Sequence, residues 1–382
     1  MGKGRPVPEP GSRHPKGPPG SAPAKTVFPR MLHDWALSTT FRGQSAGQIP
    51  PPGLPIFLRS LDACEDSEPT PGIGPPPKPP GQTYPAVRVP FEPLAPPGLP
   101  FLKYRPISYE KSVANHYEHG SLLKSIEQAL PNLGKTTDTV TIEDLAPVDE
   151  FHVGGRPATL HLIGQLGFDK SSHILDVGCG LGGAARFVAS TCAGRVTGID
   201  LTPEYISTGR ALCGWLGLDT RVTLEQGSAL AMPFGDATFD GGYMLHVGMN
   251  IEDKAALFSE VFRTLKPGAA FGVFDIMRDQ NGDLLYPVPW ATEASTSHLA
   301  TPADYRAALT SAGFEVTTET SRRDFTLDFF QQVQARAAKS GGPPPLGLHT
   351  LMQASTQAKI KNMIGNIAGE LLAPVELIAR KP

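Results

Sequence analysis

Two carboxylates, Asp176 and Asp200, bracket the stretch of this chain best suited to do chemistry. Between them lies Gly178-Cys179-Gly180-Leu181-Gly182-Gly183. Residues 174–177, Ile-Leu-Asp-Val, suit a buried strand, and 184–189, Ala-Ala-Arg-Phe-Val-Ala, suit a helix. A strand that runs through a glycine turn into a helix holds a nucleotide-like cofactor against bare backbone. Glycine permits the close approach and the positive φ values that such a turn needs.

The glycines alone leave the cofactor open. Gly178, Gly180 and Gly183 satisfy G-x-G-x-x-G, a dinucleotide pattern, and Gly178, Gly180 and Gly182 satisfy G-x-G-x-G, an S-adenosylmethionine (SAM) pattern. Asp176 tilts the choice, because a carboxylate there poorly serves a pyrophosphate and suits the cationic methionine moiety of SAM. Asp200 ends the second strand, 18 residues after Gly182. A carboxylate at that point accepts hydrogen bonds from both ribose hydroxyls. It supports adenosine binding without choosing between NAD and SAM. Together the two acids argue against a plain strand–helix connection.

The elements that must position these residues occupy the later part of the chain. The first hundred residues hold 25 of the 40 prolines, with Pro-Pro-Pro runs at 50–52 and 75–77. Such a segment reads as a disordered or polyproline-like tail. Residues 1–30 carry six Lys or Arg against one acid, Glu9. The proline density argues against a mitochondrial presequence, and no apolar signal or membrane-spanning run is present. Met31 is an alternative start. From 101 on, 24 basic residues face 30 acidic ones, which is no footprint for nucleic acid. Cys64, Cys179, Cys192 and Cys213 show no metal spacing, so no metal is expected. A reduced, cytoplasmic location fits.

A helical segment is expected over 108–130, ended by Pro131 and Gly134, and a second helix over 157–166. Strands are expected at 173–178, 195–201, 221–226, 239–246, 270–277, 314–320 and 375–379, with helices between them. Thr202, Asn250 and Thr301 read as helix N-caps, Pro203 and Pro302 as first helical residues, and Lys266-Pro267-Gly268 as a helix stop. The alternation implies an α/β fold with a doubly wound, Rossmann-like, mainly parallel sheet of seven strands. Ligands bind such sheets at the carboxyl ends of the strands. The boundaries expected are a tail over 1–100 and one domain over 101–382. Inserts at 278–300 and 324–372 are expected to cover a pocket.

At this point the chain resembles the class I SAM-dependent methyltransferases over about 108–382. The resemblance rests on 174–183, Gly198-Ile199-Asp200, the stretch 231–240 (Ala-Met-Pro-Phe-Gly-Asp-Ala-Thr-Phe-Asp) and Leu265-Lys266-Pro267-Gly268, in family order. Residues 151–159 and 246–251 resemble a small-molecule branch that includes sarcosine/dimethylglycine N-methyltransferase-like enzymes. The glycine turn with 184–187 is also similar to tocopherol, prenyl-quinol and sterol C-methyltransferases. The resemblance implies SAM as cofactor. It assigns Asp176, with Gly178, Cys179, Gly180 and Gly182 of the turn, to the methionine end. Asp200 takes the ribose and Leu201 flanks the adenine. The family often has Gly-Asp-Ala after its third strand, whose acid bonds the adenine amine. Here Gly227-Ser228-Ala229 keeps a hydroxyl without the charge, and the Ala229 backbone can supply a contact. His246 falls where the family places residues facing the transferred methyl.

Methyl transfer from a sulfonium is an in-line displacement that needs alignment in a dry pocket and no protein nucleophile. The expected partner is a small-molecule acceptor. An amine nitrogen is favoured, with C-methylation of a prenyl-quinol or sterol-like lipid as the alternative. His246 is the expected proton acceptor or acceptor-positioning residue. His152, His349, Trp290 and a His116-Tyr117 lid are further candidates. An anionic acceptor would need an Arg such as Arg156, Arg278 or Arg306. The competing readings are a nicotinamide-dependent oxidoreductase and a non-catalytic SAM-binding scaffold recruited through the tail.

Overall fold

The computed structural model describes residues 109–192, 194–340 and 342–382, together with 1, 2 and 4. The rest of the expected proline-rich tail, with Met31 and Cys64 in it, lies outside the described residues. The compact unit that holds the site runs from Tyr104 to Pro382.

Its sheet is built from β1 (His173–Val177), β2 (Arg195–Asp200), β3 (Val222–Gln226), β4 (Phe239–Leu245), β5 (Leu265–Arg278), β6 (Glu315–Ser321) and β7 (Leu372–Arg380). The order is β3-β2-β1-β4-β5-β7-β6. The first five strands are mutually parallel, and β7 lies antiparallel between β5 and β6. This is the doubly wound seven-stranded sheet that the alternating pattern implies. The central strands are buried on both faces and read as apolar runs, as in 270–277 of β5. β6 is Glu-Val-Thr-Thr-Glu-Thr-Ser and mostly solvated, which suits the sheet edge.

Among the described residues, four α-helices precede β1: α1 (Tyr109–Tyr117), α2 (Leu122–Ala129), α3 (Ile142–Asp149) and α4 (Gly155–Ile163). The helical segment expected over 108–130 is therefore two helices. The backbone opens at 118–121, where Glu204 accepts from the N–H groups of His119, Gly120 and Leu122. A carboxylate on another element thus satisfies the donors that a continuous helix would have used internally. α3 begins with a capping box, Thr141 with Asp144, a signal present in the sequence and unread there.

The crossover helices are α5 (Gly183–Thr191), α6 (Pro203–Trp215), α7 (Lys254–Thr264) and α8 (Pro302–Ser311). Thr301 forms the expected capping box with Asp304. Thr202 precedes α6 without a side-chain cap bond. The cap of α7 is Asp253, which accepts from Ala256 N at 2.8 Å, and not Asn250. Asn250 is buried in a short 3-10 turn instead. α7 also ends at Thr264, before Lys266-Pro267-Gly268. Leu265 already pairs with Phe239 of β4, and Gly268 N donates to Lys381 O, so the chain continues as strand. The long insert before β7 holds α9 (Arg323–Ser340), α10 (Leu348–Met352) and α11 (Thr356–Ala368).

Among the described residues, three apolar clusters follow from this layering. One packs α7 and α8 on the sheet through residues such as Leu257, Phe258, Phe271 and Tyr305. A second joins α2 and α3 to α6 through Ile126, Leu145, Val148 and Leu212. The third joins the inserts through Trp290, Phe330, Met363 and Ile367. A buried ion pair, Asp149 of α3 with Arg186 of α5, bolts the second cluster to the glycine turn. Removing one partner of such a pair strands the other charge in a dry interior. Asp149→Ala is expected to lower stability by roughly 3–5 kcal/mol, read from the urea unfolding midpoint. A loss below about 1 kcal/mol would show that the pair is not the bolt described here.

Candidate active site

The sheet order reverses between β1 and β4, and a cavity of ≈ 480 Å³ opens at the carboxyl ends of these strands. That is within the range of small-molecule sites, roughly 300–1,000 Å³. Asp176, Gly178, Cys179, Gly180, Asp200, Leu201, Ser228, Ala229 and His246 all line it. Gly182 does not. It caps α5 with φ +78°, and a Cβ there would come 2.9 Å from Leu224, so its role is local.

The glycine turn is held from below. Gly178 N and Cys179 N both donate to Ile199 O, at 2.8 and 3.0 Å. Gly178 has φ +69°, and a Cβ on it would sit 2.3 Å from Val247. Gly180 has φ +54°, yet a Cβ there would meet only Tyr205, at 4.0 Å. The first glycine is required by a neighbour and the second by its backbone conformation. Gly180 thereby leaves open backbone facing the cavity.

Asp200 closes the turn at the end of β2. Its Oδ2 accepts from Gly180 N and its Oδ1 from Thr202 N, each at 2.9 Å. Each carboxylate oxygen keeps a further acceptor position. A ribose diol is a matching pair of donors, so the turn and the acid fit a nucleoside.

Asp176 is 2% exposed and accepts from Tyr243 Oη, its register neighbour on β4, at 2.9 Å. Burial pushes its carboxyl up to about 7, with the Tyr243 hydrogen bond pulling the other way. Burial likewise pushes Glu150 up to about 7, against the pull of Arg156 beside it.

His246 does not fit the proton-acceptor role expected of it. Its Nδ1 lies 3.1 Å from Phe274 O, and its Nε2 accepts from Val153 N at 3.3 Å. Burial, reinforced by His152, pushes it down to about 3. A neutral ring with both nitrogens engaged is a poor base. What it does is pin the 151–154 turn to β5. His152 also lines the cavity, with Nε2 at 3.0 Å from Thr159 Oγ1 and 3.2 Å from Gly155 O.

Both inserts reach the cavity, through Pro289 and Trp290 from the first and Phe329, Phe330, Leu348 and Met363 from the second. Trp290 Nε1 donates to Ser297 Oγ at 2.9 Å, so its indole is fixed as wall. His349 is absent from the lining. Helix α1 supplies Tyr109, Glu110, Val113 and Tyr117 to the lining. Tyr117 Oη donates to Asn250 Oδ1 at 2.8 Å, and Tyr109 Oη to Asn250 O at 2.8 Å. His116 contributes a contact of its Nε2 to Pro289 O at 3.1 Å, outside the cavity. Sequence reasoning missed Asn250 as the anchor of α1, and also Glu110, Phe329 and Phe330. Asn250 was readable as a cap residue, and only the folded chain shows that it bonds elsewhere.

The lining contains seven Asp or Glu residues and, among the described residues, neither Lys nor Arg. Arg278 and Arg306 are spent elsewhere, on Gly282 O and Glu319, and Arg156 pairs with the lining residue Glu150 without reaching the lining itself. Also among the described residues, no group of three His, Cys, Asp or Glu is placed to hold a metal, and no helix is long and apolar enough to cross a membrane.

Comparison with known proteins agrees with this geometry. Residues 174–268 match the family model of the methyltransferase domain. The methyltransferase phqN of Penicillium fellutanum is 31% identical over 162 residues, 41% of this chain and 50% of that one. The 24-methylenesterol C-methyltransferase 2 of Oryza sativa subsp. japonica is 39% identical over 103 residues, 27% of this chain and 28% of that one. The chain thus spans half the length of the first relative and about a quarter of the second. Among solved structures, phosphoethanolamine N-methyltransferase 2 of Haemonchus contortus, in complex with phosphomonomethylethanolamine and S-adenosylhomocysteine, superposes with a TM-score of 0.55. It is 18% identical, and the match covers 73% of this chain and 61% of that one. The shared fold is that of the class I SAM-dependent methyltransferases.

The buried Asp176 gives a test of the site's electrostatics. Its folded value lies above its unfolded value, near 4, and reaches about 7. Its contribution to stability is therefore full below about pH 4 and is lost as pH rises through about 7. Asp176→Asn keeps the acceptor for Tyr243 and cannot ionise. The variant is expected to gain stability relative to the parent between pH 5 and pH 8 in thermal melts. An offset that does not change with pH would contradict the assignment.

Proposed function

We propose that this chain, which carries the class I methyltransferase fold, moves the methyl group of SAM to a small, largely apolar acceptor that bears no anionic group. One observation carries the acceptor class: an apolar cavity lined by seven acids, of which Asp149 and Glu150 are already paired with Arg186 and Arg156, and by no Lys or Arg among the described residues. A phosphate or carboxylate would enter that field unpaired, at a high desolvation cost. A cationic donor is welcomed by it.

When bound, SAM supplies a methyl that is already electrophilic. The residues of this chain then have three tasks. Asp200 takes the ribose hydroxyls with its remaining acceptor positions. Asp176, together with the bare backbone of Gly178 and Gly180, faces the cationic methionine end. Met249, Trp290, Phe329, Phe330, Ile360 and Met363 exclude water and hold the acceptor's apolar body. His246 acts here as a positioning residue, through its hold on Val153.

The apolar wall and the sterol C-methyltransferase among the relatives support a prenyl-quinol or sterol-like acceptor, placing it ahead of the amine favoured on sequence grounds. The carboxylate surplus favours an amine as second reading. Incubation with radiolabelled SAM and a panel of sterols, prenyl-quinols, apolar amines and phosphoethanolamine separates these. Label is expected in an uncharged or amine-bearing apolar acceptor, and label in phosphoethanolamine alone would overturn the acceptor class. For the donor site, Asp200→Ala is expected to weaken SAM binding by roughly 10- to 100-fold, the range for hydrogen bonds to a charged group. Unchanged affinity by calorimetry would show that the cofactor lies elsewhere.

A further inference from the structure

A nucleoside whose ribose is held by Asp200 has one direction in which to lay its base. β1 and its glycine turn flank β2 on one side and take the methionine end. β3 flanks β2 on the other side, so the base must extend toward the residues that follow β3, Gly227-Ser228-Ala229. Ser228 brings a hydroxyl and no charge to that point. The structure brings a charge there from another element: Ser228 Oγ donates to the carboxylate of Glu110, on the first turn of α1. Glu110, Ser228, Leu201 and Asp200 line the same cavity.

We propose that Glu110 reads the base of the cofactor, its carboxylate accepting a hydrogen bond from the exocyclic amine of adenine. This rests on the SAM reading above and adds a residue to it. An ionised carboxylate is acceptor-only. It pairs with the amine of adenine and repels the carbonyl that hypoxanthine carries at the same position. Ser228 spends its one proton on Glu110 Oε1 and takes Leu230 N at 3.1 Å as donor, so its orientation is fixed and it aligns the acid. Helix α1 is itself tied to Asn250 by Tyr109 and Tyr117. A helix of the cavity wall therefore carries the group that recognises the cofactor.

The test compares two ligands that differ only along this edge of the base, S-adenosylhomocysteine and its deaminated analogue S-inosylhomocysteine, which carries a carbonyl at C6 and a proton on N1, by calorimetry on the full chain. The parent protein is expected to prefer the adenosyl ligand by at least about 10-fold, the size of a charge-assisted hydrogen bond. Glu110→Gln offers an amide N–H to the inosyl carbonyl, so the preference is expected to collapse toward unity through loss of adenosyl affinity. Ser228→Ala is expected to move the ratio the same way by a smaller factor and serves if the first variant melts early. A preference that persists unchanged in both folded variants would overturn the role of Glu110. Failure of the parent to bind either ligand would instead overturn the SAM reading.

Discussion

The glycine turn and the helices packed on it are tied together by one buried guanidinium. Arg186 is fully buried, one turn into the helix that follows the glycine turn. Its NH1 donates to Leu181 O, inside the turn, at 2.7 Å and to Gly209 O on α6 at 3.3 Å. Its NH2 pairs with Asp149 at the end of α3. A charge taken out of water must be paired or it destabilises the fold. The pairing imposes its own requirements. A Cβ on Gly183 would come 2.5 Å from Asp149, and one on Gly209 would come 2.6 Å from Leu181 O. The glycines at 183 and 209 are thus packing glycines for the arginine, while Gly178 and Gly180 shape the surface that meets the ligand.

The cavity and its surroundings also hold buried acids. Glu150, Asp176 and Asp275 are buried, and each is pushed up to about 7, chiefly by burial. Burial thus disfavours their charged forms and mutes their mutual repulsion. Asp275, on β5, serves the same architecture without lining the cavity. It accepts from Tyr305 Oη at 2.7 Å and from Gly248 N at 2.8 Å, fixing the loop that carries His246 and Asn250. The remaining wall is apolar, and a dry, preorganised pocket is most of what an in-line methyl transfer asks of a protein.

The strands, the glycine turn and the two acids that bracket it were legible because each is a local pattern: an apolar run, a glycine triplet, an acid at a strand end. Thr301 with Asp304 was legible for the same reason. What the sequence obscured involves contacts between distant segments. Asn250 looks like a helix cap, and its amide donates to Trp290 O at 2.9 Å, 40 residues away. Lys266-Pro267-Gly268 looks like a helix stop, and strand pairing overrides it. His246 has the right position for chemistry, but both of its ring nitrogens are engaged by residues 28 and 93 positions away. Glu110 carries no local sign that it meets Ser228 across 118 residues. Arg156, Arg278 and Arg306 could be excluded from the cavity only once their carboxylate and carbonyl partners were visible.

The central claim is that this cavity is an acid-lined cradle for a cationic adenosyl cofactor. Its most direct test is calorimetric titration of the full chain with SAM, with its neutral product S-adenosylhomocysteine and with NAD, at pH 6 and pH 8. The account predicts one equivalent of SAM bound at both values. It predicts that the ratio of SAM to S-adenosylhomocysteine affinity rises with pH as the carboxyl of Asp176, near 7, ionises beside the cation. NAD heat without SAM heat, or a ratio independent of pH, would contradict it.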